Sequence, residues 1–209
     1  MKKVKLLFLI IIIFCYLPIS NVLALRLPEV PVERWVVIDG GICQETMMEI
    51  TGKLLELDQT GGDIRIRMFS PGGEVIPGLA IIDVIETLKN DVQILVEGRA
   101  SSMAMYVLAV GTKGKRAITK HTEIYIHQIQ LVKRSPFPGV PAVEIPKERI
   151  SPEVRKRIRE TQLRCDAILY RHTKVTWKEL AEWDNLFILA DEIIKYEIAD
   201  GIYEGEQGE

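Results

Sequence analysis

Apolar residues in the chain after position 33 follow two alternating patterns. Short β-rich runs predict strands at 34–38, 64–69, 92–96 and 123–127. Apolar residues at helical spacing predict helices at 45–57, 78–89 and 102–110. Strands that alternate with helices are typical of an α/β domain built from stacked β-α units, so that fold class is expected here.

Proline and polar residues interrupt this pattern in two places. Residues 130–150 are predicted to form a loop or an edge extension, because proline cannot occupy the interior of a helix or a central strand. The prolines are at positions 136, 138, 141 and 146. Near the C-terminus, residues 190–203 predict a short helix and a closing turn, and residues 204–209 predict a solvated tail.

Two helix starts are marked by their capping residues. Ser151 precedes a proline, the order expected for an N-cap followed by the first helical position, and the apolar spacing that follows predicts a helix from 152 to 171. Thr176 and Glu179 have the spacing of a capping box, which predicts a second, short helix ending at Trp183.

The first 25 residues have the pattern of an export segment. Three early lysines precede the uncharged, Leu- and Ile-rich run 6–25. Val22 and Ala24 fit the two specificity positions of a cleavage site, which predicts a signal peptide of residues 1–24. The alternative is an uncleaved membrane anchor, since about 20 apolar residues span a bilayer. Both interpretations put the domain, residues 25–209, outside the cytosol, as in the periplasm.

Length, charge and cysteine content exclude several classes of protein. A chain of 209 residues suits one domain. Its 27 Lys and Arg residues against 29 Asp and Glu residues leave a net charge of −2, which offers no basic surface for nucleic acid. The cysteines at 15, 43 and 165 form no CxxC pair, so neither a zinc site nor a disulfide framework is predicted.

Three short segments carry candidate chemistry, and each has an ordinary structural alternative. Segment 69–75 (FSPGGEV) joins a strand to a helix, so its backbone N–H groups can bind an oxyanion or simply form a turn. Ser101 and Ser102 open the next helix, where a serine is either a nucleophile or an N-cap. His127 ends an apolar strand, where a histidine is either a general base or a satisfied core residue.

Taken together, these segments resemble the proteolytic subunit of the Clp protease, a serine peptidase of the Clp/crotonase superfamily. The match comprises SPGG, the serine segment GRASSM, GTKGKR and IHQ, in the family's order and spacing. The resemblance implies a Clp/crotonase-type fold with a protruding handle helix at 151–171. It also implies that Ser102 is the nucleophile, that His127 is its general base, and that Gly73 and Met103 form the oxyanion hole.

The third catalytic residue departs from the family pattern. Where the family has an aspartate before its last helix, alignment on Phe187 puts Asn185, and Asp184 falls one residue early. Adjacent residues of an extended segment point to opposite sides, which favours Asn185 over Asp184. An asparagine orients a histidine without a charge, and in serine proteases the Asp-to-Asn change costs about 10⁴ in turnover.

The resemblance implies a serine endopeptidase that cleaves peptides or unfolded protein segments through an acyl-enzyme, with no metal or cofactor. It also implies a ring-shaped homo-oligomer. An ATP-driven unfoldase partner is not expected outside the cytosol, where ATP is scarce.

Three alternatives remain open at this point. One is a noncatalytic ring or scaffold subunit with a decayed triad. The second is an acyl-CoA-handling crotonase relative that uses the same two N–H groups. The third is a serine–lysine dyad, in which Lys115 or Lys120 would have to reach Ser102; both lysines are expected to be solvated turn residues.

Overall fold

The computed structural model of the chain describes residues 23–133 and 143–207. Most of the predicted signal peptide or anchor, residues 1–22, lies outside the described residues, as do the prolines at 136, 138 and 141. In the two described ranges, no helix is both long enough and apolar enough to cross a membrane.

Strands and helices alternate along most of the described chain. The strands are β1 (Ala24–Pro28), β2 (Trp35–Asp39), β3 (Ile64–Ser70), β4 (Val92–Ala100), β5 (Arg116–Ile118), β6 (Glu123–Ile126), β7 (Val132–Lys133), β8 (Val143–Glu144), β9 (Leu186–Leu189) and β10 (Gly201–Gln207). The helices are α1 (Gln44–Leu57), α2 (Val75–Thr87), α3 (Met103–Ala109), α4 (Pro152–His172), α5 (Trp177–Glu182) and α6 (Ala190–Lys195). The predicted α/β class is therefore confirmed.

The main sheet is parallel and has the strand order β1-β10-β5-β4-β3-β2. A branch of the sheet starts where β6 pairs with the end of β4, at Arg99 and Glu123, and continues through the antiparallel pair β6–β9. Parallel strands need long crossover connections, and helices α1 to α3 provide them between the successive strands. The β4–β6 pairing brings the serine pair, which follows β4, close to His127, which follows β6.

The middle strands of the sheet are largely buried, and where β3 alternates isoleucine with arginine, Arg65 is buried as well. Ile64, Ile66 and Ile94 have no exposed surface. Every residue of α3 is buried as well. The nucleophile candidate thus begins a helix that packs entirely inside the domain.

The eight-stranded sheet contains four strands that the hydrophobic pattern does not predict, β1, β5, β9 and β10. The prediction of a closing turn and a solvated tail is wrong for 201–207, because these residues lie in the sheet between β1 and β5. Glu206 pairs with the guanidinium of Arg65, which is buried, and Arg65 also donates to the carbonyl of Pro28 at 2.8 Å. Ion pairing and backbone hydrogen bonds therefore hold a polar sequence in the sheet.

The C-terminal helices confirm their capping signals. The Oγ of Ser151 accepts the N–H of Val154 at 3.3 Å, and Thr176 and Glu179 form a reciprocal capping box. Helix α4 has 21 residues, few of them buried, as expected for a handle. For 130–150, predicted as a loop or an edge extension, the described residues contain β7 and β8, which pair with each other as a separate antiparallel sheet and not with the edge of the main sheet.

Candidate active site

Ser102 occupies the sharp junction between β4 and α3. Its backbone angles are φ 51° and ψ −125°, a conformation that is costly for a residue with a side chain. Its N–H donates to the carbonyl of Tyr125 in β6 at 2.9 Å. A strained serine between a strand and a helix is the geometry of a nucleophile elbow, in which the hydroxyl is held away from the helix axis.

Gly72 makes this junction possible, because a side chain would not fit there. A Cβ at Gly72 would lie 2.4 Å from the carbonyl oxygen of Ser101 and 2.7 Å from the Cβ of Ser102, and its φ is +88°. The Oγ of Ser70 accepts the N–H of Gly72 at 3.1 Å and donates to the carbonyl of Gly40 at 2.6 Å. The SPGG turn is thus packed directly against the serine turn.

Two backbone N–H groups beside Ser102 are available to a ligand. The carbonyl of Gly72 accepts the N–H of Ile42, and the carbonyl of Ile42 accepts the N–H of Glu74, both at 2.8 Å. Between them, the N–H of Gly73 has no hydrogen-bond partner among the described residues, and the same holds for the N–H of Met103. These are the two groups expected to form an oxyanion hole.

The two serines of the pair have different surroundings. Ser101 is buried, and its Oγ accepts the N–H of Tyr125 at 3.0 Å. Ser102 is partly exposed and lines a small cavity together with Gly73, Met103 and His127. The structure therefore brings four of the five predicted site residues to one cavity and assigns Ser101 a structural contact.

His127 follows β6 and is held by its own neighbour. Its Nδ1 lies 2.8 Å from the backbone carbonyl oxygen of Gln128. A carbonyl oxygen only accepts hydrogen bonds, so Nδ1 carries a proton, and in the neutral ring Nε2 then has the lone pair. That tautomer is the one a general base needs.

Asp184 and Asn185 lie near His127 without contacting its ring nitrogens. The Oδ1 of Asp184 accepts the N–H of Gln128 at 3.0 Å, and the Oδ1 of Asn185 accepts the Tyr125 hydroxyl at 2.6 Å. Asn185 has φ 55°, so the two residues form a turn before β9 and the alternation argument for an extended segment does not apply. Asn185 reaches His127 only through Tyr125, whose ring centroid is 5.4 Å from the imidazole centroid.

Helix α4 supplies a wall of the cavity, which the sequence pattern does not indicate. The Oε1 of Gln162 accepts the N–H of Ile129 at 2.8 Å, and its Nε2 donates to Asp166 at 2.7 Å. Burial raises the pKa of the Cys165 thiol to about 12, and burial likewise raises the pKa of Tyr106. In the sequence, only the i,i+4 spacing of Gln162 and Asp166 could have indicated that this part of α4 faces the cavity. Polar pairs with that spacing usually lie on a solvated helix face, so the spacing did not predict the contact.

Lys115 and Lys120, the candidates for the alternative serine–lysine dyad, are not near Ser102. Lys115 lies beside the start of β4, where its carbonyl accepts the N–H of Ile94, and nine residues of β4 separate that end from Ser102, roughly 30 Å. Burial opposes the charge of Lys115, but hydrogen bonds to Asp63 and Asp91 outweigh it and raise the pKa of the ammonium. Lys120 is exposed and lines a different cavity.

A metal site is not formed by the residues that the structure describes, since no three His, Cys, Asp or Glu side chains gather in those ranges.

Known proteins share this sequence pattern. Residues 27–206 match the family described as Clp protease, so the chain belongs to the Clp protease family, a class of serine-type peptidases. A relative is the ATP-dependent Clp protease proteolytic subunit 1 of Prochlorococcus marinus (strain MIT 9312), 40% identical over 98 residues, which are 46% of this chain and 50% of that protein. The match thus spans about half the length of this curated relative.

Proposed function

We propose that this protein is a serine endopeptidase in which Ser102 is the nucleophile and His127 the general base. The Ser102 Oγ attacks the carbonyl carbon of a peptide bond while Nε2 of His127 takes the hydroxyl proton. The N–H groups of Gly73 and Met103 bind the oxygen that becomes negative. His127 then protonates the leaving amine, and a water molecule hydrolyses the acyl-enzyme.

One observation carries this proposal: the strained backbone of Ser102 lies beside two N–H groups that have no hydrogen-bond partner in the described part of the chain. Strain of this kind persists only where the surrounding structure enforces it, and it clusters at functional sites. An ordinary helix N-cap has extended backbone angles and a side chain that accepts an N–H of the first turn. Ser102 has neither property, which favours a nucleophile over a cap.

The third catalytic role is assigned to the carbonyl of Gln128. It accepts the proton of Nδ1 and so selects the active tautomer of His127. Asp184 holds the His127–Gln128 peptide through the Gln128 N–H, and Gln162 holds the peptide that contains the Gln128 carbonyl through the Ile129 N–H. A carbonyl carries no full charge and stabilises the imidazolium less than a carboxylate does. Turnover is therefore expected to be slower than in a protease with an Asp-His-Ser triad.

Substrates, assembly and location are proposed from the family and the leader sequence. We infer that the substrates are peptides or unfolded segments and that the subunits assemble into a homo-oligomeric ring. Export or anchoring through residues 1–24 also stays a proposal. If cleavage occurs after Ala24, it leaves Leu25 at the start of β1 and removes the Leu23 carbonyl, which accepts the N–H of Ile202 at 2.8 Å.

A fluorophosphonate serine probe tests the proposal directly. Residues 25–209 are purified as wild type, as Ser102→Ala and as Ser101→Ala. We expect wild type and Ser101→Ala to be labelled and Ser102→Ala to be silent, because only an activated hydroxyl attacks the probe. Ser101→Ala is the matched control, since it removes the neighbouring hydroxyl and leaves the nucleophile in place.

A noncatalytic scaffold subunit is the second candidate, and one observation favours it: no carboxylate contacts the ring nitrogens of His127 among the described residues. If folded wild-type protein is not labelled while the ring still assembles in solution, the scaffold interpretation replaces the peptidase.

A further inference from the structure

A second cavity, of about 250 Å³, adjoins the one that contains Ser102. It lies between the segment after His127, the segment 144–150 and the first turns of α4. Ile129, Gln130 and Gln162 line both cavities. A bound chain that occupies the Ser102 cavity can therefore extend into this second cavity without leaving the protein surface.

The second cavity has an apolar floor and a positively charged rim. The rim includes Lys147, Arg155 and Arg159, all exposed, against the single carboxylate of Glu144. None of the three cations forms an ion pair with another described residue. The whole chain is slightly acidic, so this excess of positive charge is local.

The spacing along α4 relates the rim to the site of cleavage. Arg155, Arg159 and Gln162 are separated by four and three residues, so they share one face of the helix. From Arg155 to Gln162 the helix rises about 10 Å. An extended peptide covers this distance with about three residues.

We propose that this cavity is a substrate subsite that binds the side chain of a glutamate or aspartate about three residues from the cleaved bond. The apolar floor suits the methylene groups of such a side chain, and the guanidinium groups suit its carboxylate. This inference deepens the proposed peptidase function and rests on it. It predicts that the enzyme selects acidic segments of unfolded proteins.

The test uses internally quenched peptides that share one apolar centre and carry Glu, Gln or Lys about three residues to either side of it. Amidated C-termini remove the terminal carboxylate as a second source of negative charge. We expect the Glu peptide to exceed its Gln counterpart roughly fivefold in kcat/KM, and the Lys peptide to be poorest. The preference should shrink as salt rises from about 0.05 to about 0.5 M, because exposed charges are screened.

Matched variants of α4 identify the groups responsible. Arg155→Gln/Arg159→Gln removes two cations from the rim, whereas Arg157→Gln/Arg164→Gln removes two exposed cations of the same helix that do not line the cavity. The Glu-to-Gln ratio should fall to about one in the first variant and stay unchanged in the second. The subsite proposal is overturned if wild type cleaves the Glu and Gln peptides with equal kcat/KM. It is also overturned if the Glu-to-Gln ratio of kcat/KM in Arg155→Gln/Arg159→Gln stays as high as in wild type.

A binding measurement separates this proposal from the peptidase proposal. Ser102→Ala protein is titrated with fluorescein-labelled Glu and Gln peptides, and anisotropy reports the Kd. Tighter binding of the Glu peptide that depends on Arg155 and Arg159 supports the subsite even if wild type cleaves nothing, in which case only the peptidase proposal fails. Equal binding of the two peptides overturns the subsite whether or not cleavage occurs.

Discussion

The two halves of the candidate site are built in different ways. On the nucleophile side, Ser102 is held between buried backbone segments, and Gly72 packs against it with no room for a methyl group. On the base side, His127 is held by polar groups near the surface, where Asp184 and Asn185 are both exposed.

This difference teaches which changes the site tolerates. Backbone packing around Ser102 allows almost no substitution, because a close-packed region responds to every added atom. The hydrogen bonds around His127 are separate interactions, so one acceptor can be replaced by another without disturbing the rest. The aspartate that the family places there can therefore be absent while the tautomer of His127 is still selected.

Gly72→Ala is expected to have the largest effect. The added Cβ meets the Ser101 carbonyl and the Ser102 side chain, so we expect about 3 kcal/mol less stability and roughly a hundredfold less fluorophosphonate labelling. Gly114→Ala is the control, because Gly114 has φ +83° but nothing lies within 4 Å of the place that a Cβ would take. It should cost about 1 kcal/mol in thermal unfolding and leave labelling intact. If both variants lose the same stability and the same labelling, the positive φ of Gly72, and not the lack of space for a Cβ, is the reason that glycine is required there.

Asp184→Ala is expected to lower kcat/KM about tenfold, since the His127–Gln128 peptide, which positions both the imidazole and the Gln128 carbonyl, loses its hydrogen-bond acceptor. Asp184→Asn keeps an oxygen acceptor for the Gln128 N–H and should recover most of the activity. The pair is measured with one peptide substrate across roughly pH 5 to 9, the range in which a histidine titrates. Similar losses in both variants would indicate that the charge of Asp184 acts on His127, contrary to the hydrogen-bonding role.

Asn185→Asp is expected to change labelling by about threefold or less, because the new carboxylate still accepts the Tyr125 hydroxyl and its charge is screened by solvent. The rate of probe labelling measures this. A gain of about a hundredfold would show that residue 185 contacts His127 itself, and the base side would then be a conventional triad with its aspartate missing.

Asp166→Asn is expected to have the smallest effect, a gain in stability. Burial raises the pKa of Asp166, with the Gln162 hydrogen bond opposing it, so the folded state favours the protonated form. The contribution of Asp166 to stability is present at low pH and lost as pH rises through its folded pKa. Thermal unfolding at about pH 8 should therefore show that Asp166→Asn is more stable than wild type. The gain in the free energy of unfolding should be under about 1 kcal/mol, because the carboxyl group is partly exposed. At about pH 3, where the carboxyl group is protonated, the gain should be absent. Asp83→Asn, an exposed change on α2, should give no such pH-dependent gain.

The hydrophobic pattern predicted β2, β3, β4 and β6 and helices α1 to α3 correctly, because the buried residues of each element recur at the spacing of a strand or a helix. It did not predict β10, since residues such as Glu204 and Glu206 are polar. Their place in the sheet depends on Arg65, 141 residues from Glu206 in sequence, and on pairing with β1. Long-range partners of this kind leave no local periodicity.

The sequence by itself determined the fold class, the family, and the segments that contain Ser102, His127 and the glycine turn. Those features depend on local patterns and on the spacing of a few residue types. Only the tertiary structure decided which atoms meet: that Gly72 has no space for a side chain, that Nδ1 of His127 faces the carbonyl of Gln128, and that Asn185 accepts from Tyr125. The physical reason is that a hydrogen bond depends on a few ångströms and on direction, which chain folding sets between residues far apart in sequence.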